Sequence, residues 1–341
     1  MPSFEEATVV EILSERKGIT RVLLDSGERA YSVTQTTGPV GSGDRVVVNT
    51  TALRLGLGTG GWHVVHWNLT RGAWSQPGPG HLMKLRYTSL QSDTGAAEEH
   101  EPVTEADLTG TVVVAAGLHS QLPVLAVSLA AARAGTRVAY VMTDGGALPL
   151  ALSDTVAELT DKNLLVGTVT AGHAFGGDFE ALNVSSAMAV AAHRFEAEVI
   201  VIAMGPGVAG TASRLGYTAL EVAPVLDAAA WLGAEPVACV RASSGDERAR
   251  HQGVSHHSIT ALDAVRSQVH VPLPPGVVLP EALARRHRCV EIEPGPIARQ
   301  LNDEGVKVTT MGRGPDRDPL FFDAVASAGR FAASLLPQRH Q

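Results

Sequence analysis

From residue 7 to about residue 88 the apolar positions come in short runs, "ATVVEIL", "TRVLLD", "RAYSVT", "DRVVVNTT" and "WHVVHWNL", rich in Val and Thr and separated by turn residues. Runs of this length without a helical period predict β-strands. "DSGE" between the second and third runs reads as a hairpin turn, with Gly27 free to take a positive φ. Five such strands predict a small barrel, SH3-like or OB-like, over residues 1–90, and the pattern does not separate the two.

From residue 108 the pattern changes. Apolar strand-like runs, "GTVVVAA", "RVAYVMT", "LVGTVTA", "EVIVIAM", "PVACVR", "QVHVPL", "CVEIE" and "VKVTTM", alternate with longer alanine-rich stretches. Those stretches, "LPVLAVSLAAARAG", "LPLALSDTVAELTD", "FEALNVSSAMAVAAHRF" and "VAPVLDAAAWLG", predict helices. Parallel strands need crossover connections and are buried on both faces, so residues 108–341 are expected to form a Rossmann-like, largely parallel α/β/α sandwich. Residues 91–107, "QSDTGAAEEHEPVTEAD", hold six carboxylates and no Lys or Arg, and read as an acidic linker.

Composition adds limits. The chain has 341 residues and a formal net charge of −8. Residues 1–90 hold nine Lys/Arg against seven Asp/Glu, and the remainder eighteen against twenty-eight, so the larger domain is acidic. Nonspecific nucleic-acid binding is therefore not expected of it. Cys239 and Cys289 stand fifty positions apart and support neither a disulfide framework nor a clustered zinc site. The opening "MPSFEEATVV" lacks a signal-peptide pattern, and the most apolar stretches are broken by Gly and Pro before the length of a membrane span. A cytoplasmic protein is the expectation. Trp62, Trp67 and Trp74 gather in the barrel part, where packing is favoured over base stacking.

In parallel sheets ligands sit beyond the carboxyl ends of the strands. Here the loops that follow strands hold most of the glycine clusters and histidines: "GLHSQLP", "TDGGALP", "AGHAFGGDFE", "GPGVAGTAS", "RASSGDERARHQGVSHHSIT" and "MGRGPDRDP". In "GPGVAGTAS", Gly205, Gly207 and Gly210 match G-x-G-x-x-G, followed by Thr211. Such a loop serves as a dinucleotide site, an anion nest or a plain turn. No acidic residue ends the next strand, where "VACVRAS" offers Arg241, and Thr211 stands where a P-loop needs Lys. Asp144 reads equally as a site carboxylate and as a cap of the helix expected near Leu148, while for Asp178 the cap of the helix expected at "FEALN" is slightly favoured over a site role. His119, His173 and the pair His256 and His257 fall on the same expected edge, and histidine suits both proton transfer near neutral pH and metal ligation. No H-x-x-x-H pair fixes two ligands on one helix, so no metal ligands are assigned and no cofactor is identified.

"VNTTALRLGLGTGG", "HLMKLRYTSLQ", "GLHSQL", "AYVMTDGGALPLALS", "GHAFGGDFEALNV", "MGPGVAGT" and "HQGVSHHS" together resemble the bacterial family catalogued as domain of unknown function 3866. The resemblance runs over nearly the whole chain and implies a full-length member with no fused module of known type. It implies no reaction.

The residues alone favour a small-molecule enzyme with hydrolase or phosphoryl chemistry. Its site would combine His119, Asp144, His173, Asp178, His256 and His257 with the Gly205–Thr211 backbone around an anionic ligand. The alternative is a non-catalytic regulatory protein that binds a small anion or nucleotide. A homo-oligomer is compatible with either reading.

Overall fold

The computed structural model describes residues 2–58, 60–100 and 106–338. Part of the expected linker, residues 101–105, lies outside the described residues. The chain divides into two compact units, Met1–Gly95 and Ala96–Gln341.

In the first unit, β1 (Phe4–Arg16), β2 (Ile19–Leu24), β3 (Arg29–Val33), β4 (Arg45–Asn49) and β5 (Trp62–Asn68) close into a barrel of order β1-β2-β3-β5-β4. β3 runs parallel to β5, and the other pairs are antiparallel. This is the Greek-key order of an OB-type barrel. β1 can pair with both β2 and β4 because two register shifts bend it, between Val9 and Glu11 and between Ile12 and Ser14. Alternate residues, among them Val22, Leu24, Val46, Val48 and Val65, fill the interior. The expected hairpin turn carries Gly27 at φ 81°. Arg29 lies 4.6 Å from the Trp62 ring centroid and Arg71 5.3 Å from that of Trp74, so these aromatic faces are covered by the chain's own guanidinium groups. A short ladder pairs β6 (Met83–Lys84) with β7 (Ser92–Asp93), where a bare linker had been expected to begin.

The second unit is built on a sheet of eight strands. They are β8 (Val112–Ala116), β9 (Val138–Thr143), β10 (Gly167–Ala171), β11 (Phe179–Ala181), β12 (Val199–Met204) and β13 (Glu235–Cys239). After a separate antiparallel ladder of β14 (Ala242–Ser243) and β15 (Gly253–Val254) come β16 (His270–Leu273) and β17 (Arg288–Glu291). The order is β11-β10-β9-β12-β8-β13-β16-β17, with every pairing parallel.

Side chains alternate between two cores. Val112, Val114 and Tyr140 meet the helices Gln121–Ala132, Ile297–Asp303 and Pro319–Leu335 on one face. Val113, Ala115, Val141 and Ile202 meet the helices Val184–Phe195, Val222–Trp231 and His256–Ala264 on the other. Burial on both faces is why these strands read as continuous apolar runs. Among the described residues no helix is long and apolar enough to cross a membrane.

Three expectations are corrected. "VKVTTM" is not a strand: Val306 packs beside the helix Ile297–Asp303, and Thr310 makes only an isolated bridge to Arg313. The eighth strand is instead Phe179–Ala181, so the helix expected from Phe179 starts at Val184, behind an Asn183 cap that accepts from Ser186 N–H. The helix expected near Leu148 starts at Asp154, where Ser153 accepts from Val156 N–H at 3.0 Å. Neither Asp144 nor Asp178 is therefore a helix cap.

Candidate functional site

The loops beyond β8, β12 and β13 enclose a cavity of about 590 Å³. Its first wall is the turn after β8. Gln121 starts the following helix fully buried, and its amide donates to Cys239 O at 3.3 Å and Val240 O at 3.2 Å, tying this turn to the end of β13. His119 projects from the turn with Nε2 2.7 Å from Ser153 Oγ and Nδ1 3.3 Å from both Met204 O and Tyr140 Oη. Both ring nitrogens are engaged. Burial holds its pKa down at about 4, so the ring is neutral at pH 7 and pins three loops together.

The second wall is Pro206–Thr211. The loop does not run into a helix: an isolated bridge between Gly210 and Tyr217 folds it back, and the next long helix begins only at Val222. Of the three readings open for G-x-G-x-x-G, the dinucleotide one is disfavoured, because the loop does not lead directly into a long helix of its own. Gly205 is buried under Ala147, where its missing side chain permits close backbone approach. Gly207, at φ 104°, and Gly210 face the cavity with Thr211.

The third wall is the long loop after β13. Asp246, 3% exposed, gathers three guanidinium groups: Arg241 Nη2 at 3.0 Å, Arg248 Nη2 at 2.8 Å and Arg313 Nη2 at 3.4 Å. Hydrogen bonding from Arg248, helped by the Arg241 charge, holds its carboxyl far below the usual range. Buried Asp318 adds a second anchor, accepting from Ser243 Oγ, Ser244 N–H, Gly245 N–H and Arg313 Nε. Arg241, Arg248 and Arg250 line the cavity from this side, and Lys307 and Thr310 close it. Arg250 and Lys307 have no carboxylate partner among the described residues. The lining includes four cationic side chains and no carboxylate. A neighbouring apolar pocket between Gly117 and Leu262 offers only about 20 Å³, room for one water, and a mostly apolar one of about 420 Å³ between Leu273 and Glu291 holds none of the expected site residues.

Three histidines meet at this wall. His251, His256 and His257 bring one ligand atom each within 4.8 Å of one another, the one such cluster of His, Cys, Asp or Glu found among the described residues. His256 and His257 are the first residues of the helix His256–Ala264, not loop residues as expected, with Ser255 as the cap. Tyr217 stacks on His257 at 3.9 Å with 7° between the planes, and its hydroxyl donates to His257 O at 2.7 Å. Burial first, then neighbouring positive charge, depresses all three histidines, His257 to about 4 and His251 to about 3. They are neutral near pH 7.

The remaining expected site residues stand apart from the cavity lining. Asp144 accepts from His173 N–H at 3.1 Å and fills the space beside Gly172, whose φ is 65°. Asp178 accepts from Thr168 N–H and Oγ, both at 2.9 Å, and so fastens β11 to β10. Several groups escaped sequence reasoning: Arg248, Arg250 and Lys307, which line the cavity, Asp246, which anchors the arginines, and also His251 and Glu221. His251 precedes the histidine pair by five positions, a spacing the search for paired helical ligands passes over. Glu221 reaches back to Thr143 Oγ at 2.5 Å beside Gly145. Burial, with the Asp144 charge adding to it, raises its pKa to about 7. No sequence signal marks it.

A family model described as a protein of unknown function (DUF3866) matches residues 29–329. No curated protein matches the chain. Among solved structures, YjeQ from Thermotoga maritima is similar at 10% identity over 88% of this chain and 82% of that one, with a TM-score of 0.15, too low to support any argument.

Proposed function

The chain belongs to the DUF3866 family, whose description names no activity, and we propose from the cavity itself that the larger unit binds a small phosphate-bearing molecule and acts on it as a hydrolase. One observation carries the reading: in a chain of net charge −8, a cavity of about 590 Å³ is lined by Arg241 and Arg248, which share Asp246 behind the wall, by Arg250 and Lys307, which have no carboxylate partner among the described residues, and by no carboxylate. Cations gathered in a concave site focus the field and raise the local anion concentration. Planar guanidinium groups also match phosphate oxygens in pairs. The volume suits a small metabolite. Backbone at Gly207 and Gly210 leaves room for close approach. Imidazoles of His251 and His257 on the same wall favour chemistry over mere retention, since a ring-nitrogen lone pair there can ligate a metal.

The test is calorimetric titration with inorganic phosphate, set against a neutral sugar, followed by assay of phosphomonoester hydrolysis. Arg250→Ala and Lys307→Ala are each expected to weaken phosphate binding about 10-fold, the loss of one charge-assisted hydrogen bond. Absence of phosphate binding at low ionic strength, or full retention by both variants, refutes the reading. Tight binding without turnover of any ester selects the regulatory alternative, which the full engagement of both His119 ring nitrogens favours.

A further inference from the structure

We propose that His251, His256 and His257 form a three-nitrogen site for a divalent transition metal, zinc foremost, opening onto the anion cavity. This rests on the anion-site reading only for what the metal faces; the ligand set stands independently.

The first support is convergence: three imidazoles offer ligand atoms within 4.8 Å of one another. The second is unmet bonding. His257 is 9% exposed, yet neither of its ring nitrogens has a hydrogen-bond partner, and the buried Nε2 of His256 has none either. Buried polar atoms left without a partner are rare, and an ion bound between them is one of the few arrangements that accounts for them.

The third is the ring orientation. His251 Nδ1 lies 2.7 Å from Ser255 Oγ, which also accepts from His257 N–H at 3.2 Å. If that oxygen accepts the Nδ1 proton of His251 as well, the Nε2 lone pair is left for a metal, the usual arrangement behind a ligating histidine. Tyr217, stacked on the other imidazole, fixes the orientation of His257, while Gly210 places no side chain against that ring. Three neutral nitrogens with a fourth position open to a cavity is the donor set of a catalytic zinc site, where bound water becomes acidic enough to attack near neutral pH.

The neighbouring guanidinium groups bear on what the metal faces. Arg241 and Arg248 line the cavity beside His251 and His257 and repel a dication there, a repulsion that an anion held in the cavity relieves. Metal and phosphate are therefore coupled, each raising the affinity for the other by the same factor.

The experiment uses the full chain stripped of metal by a chelator and titrated with Co²⁺ and Zn²⁺, with and without inorganic phosphate. One equivalent of Co²⁺ is expected to bind with the visible bands of a four-coordinate nitrogen-rich site. His257→Asn and the half-buried His256→Gln should each weaken binding at least about 10-fold, while His173→Gln, outside the cluster, should not. Circular dichroism identifies any variant that fails to fold, and the milder His256→Gln keeps the test decisive. Metal binding unchanged by both cluster variants, or none above the level of the bare surface, overturns the proposal even where phosphate binds. Metal bound at the cluster in a protein that shows no phosphate affinity supports the site and refutes the anion reading.

Discussion

Asp246→Asn isolates the ion cluster on which the cationic wall depends. The substitution keeps shape and removes charge. Its remaining oxygen can still accept from Arg248 N–H at 3.0 Å and Arg248 Nε at 2.9 Å, whereas the new NH₂ faces the donors of Arg241, Arg248 and Arg313. Arg248, with a side chain 41% exposed, loses little because solvent screens it. Arg241, 8% exposed, is left as a buried cation without its carboxylate. Breaking one partner of such a pair costs about 3–5 kcal/mol, and partial solvation through the cavity puts the expectation near 3 kcal/mol. For a unit of this size that is roughly 6–12 °C in Tm. Calorimetric unfolding of the whole chain measures it, with Asp263→Asn, which breaks the exposed pair to Arg214, as the control expected within about 1 kcal/mol of wild type. The sign of the pH dependence follows from the depressed carboxyl. The stabilisation is fully present above the ordinary value of 3.8 and is lost as pH falls below it, so the two proteins converge in strong acid. Phosphate should restore part of the loss by pairing with Arg241. A loss no larger than that of the control refutes the assignment of Asp246 as the buried anchor.

Glu221 has the opposite dependence. Its folded pKa of about 7 exceeds the unfolded value of 4.5, so stability falls as pH rises from 4.5 to 7 and is level above that. Glu221→Gln should accordingly stabilise the protein by about 3 kcal/mol at pH 8 and by little at pH 4.5, as read from melting at both values; an equal effect at the two pH values contradicts the shift. At Gly329, buried in the helix Pro319–Leu335, an added methyl would collide with Ser128 Oγ on the helix Gln121–Ala132. Gly329→Ala is expected to cost about 1–3 kcal/mol in urea unfolding. Pairing it with Ser128→Ala should recover part of that, and strict additivity of the two would show that the contact is not the cause.

What could be read from residues, and what could not, divides along a physical line. Val112–Ala116 and Val199–Met204 are buried on both faces, so their sequence carries nothing but apolar β-formers, and strand, sheet type and carboxyl-edge loops all follow from that. Edge elements gave weaker signals. "VKVTTM" has strand composition but no ladder partner, and "FEA", three residues long, is too short to show a period. The candidate site divides in the same way. After β13 the pair His256 and His257 stands out in the loop "RASSGDERARHQGVSHHS", whereas Arg248, Arg250 and His251 in the same loop carry no spacing that marks them. Which loops that one meets depends on strand order, and no local pattern encodes it. The order β10-β9-β12-β8-β13 puts β10 four strands from β13, about 19 Å at about 4.8 Å per strand. His173, carried just past β10, is thereby separated from the Arg241–His257 loop. Insertion of β12 between β9 and β8 has the contrary effect, placing Met204–Thr211 beside His119 and two strands from β13. The same insertion that assembles the cationic cavity therefore excludes His173 and Asp178 from its lining, and it does so through pairings made more than sixty residues apart in the chain.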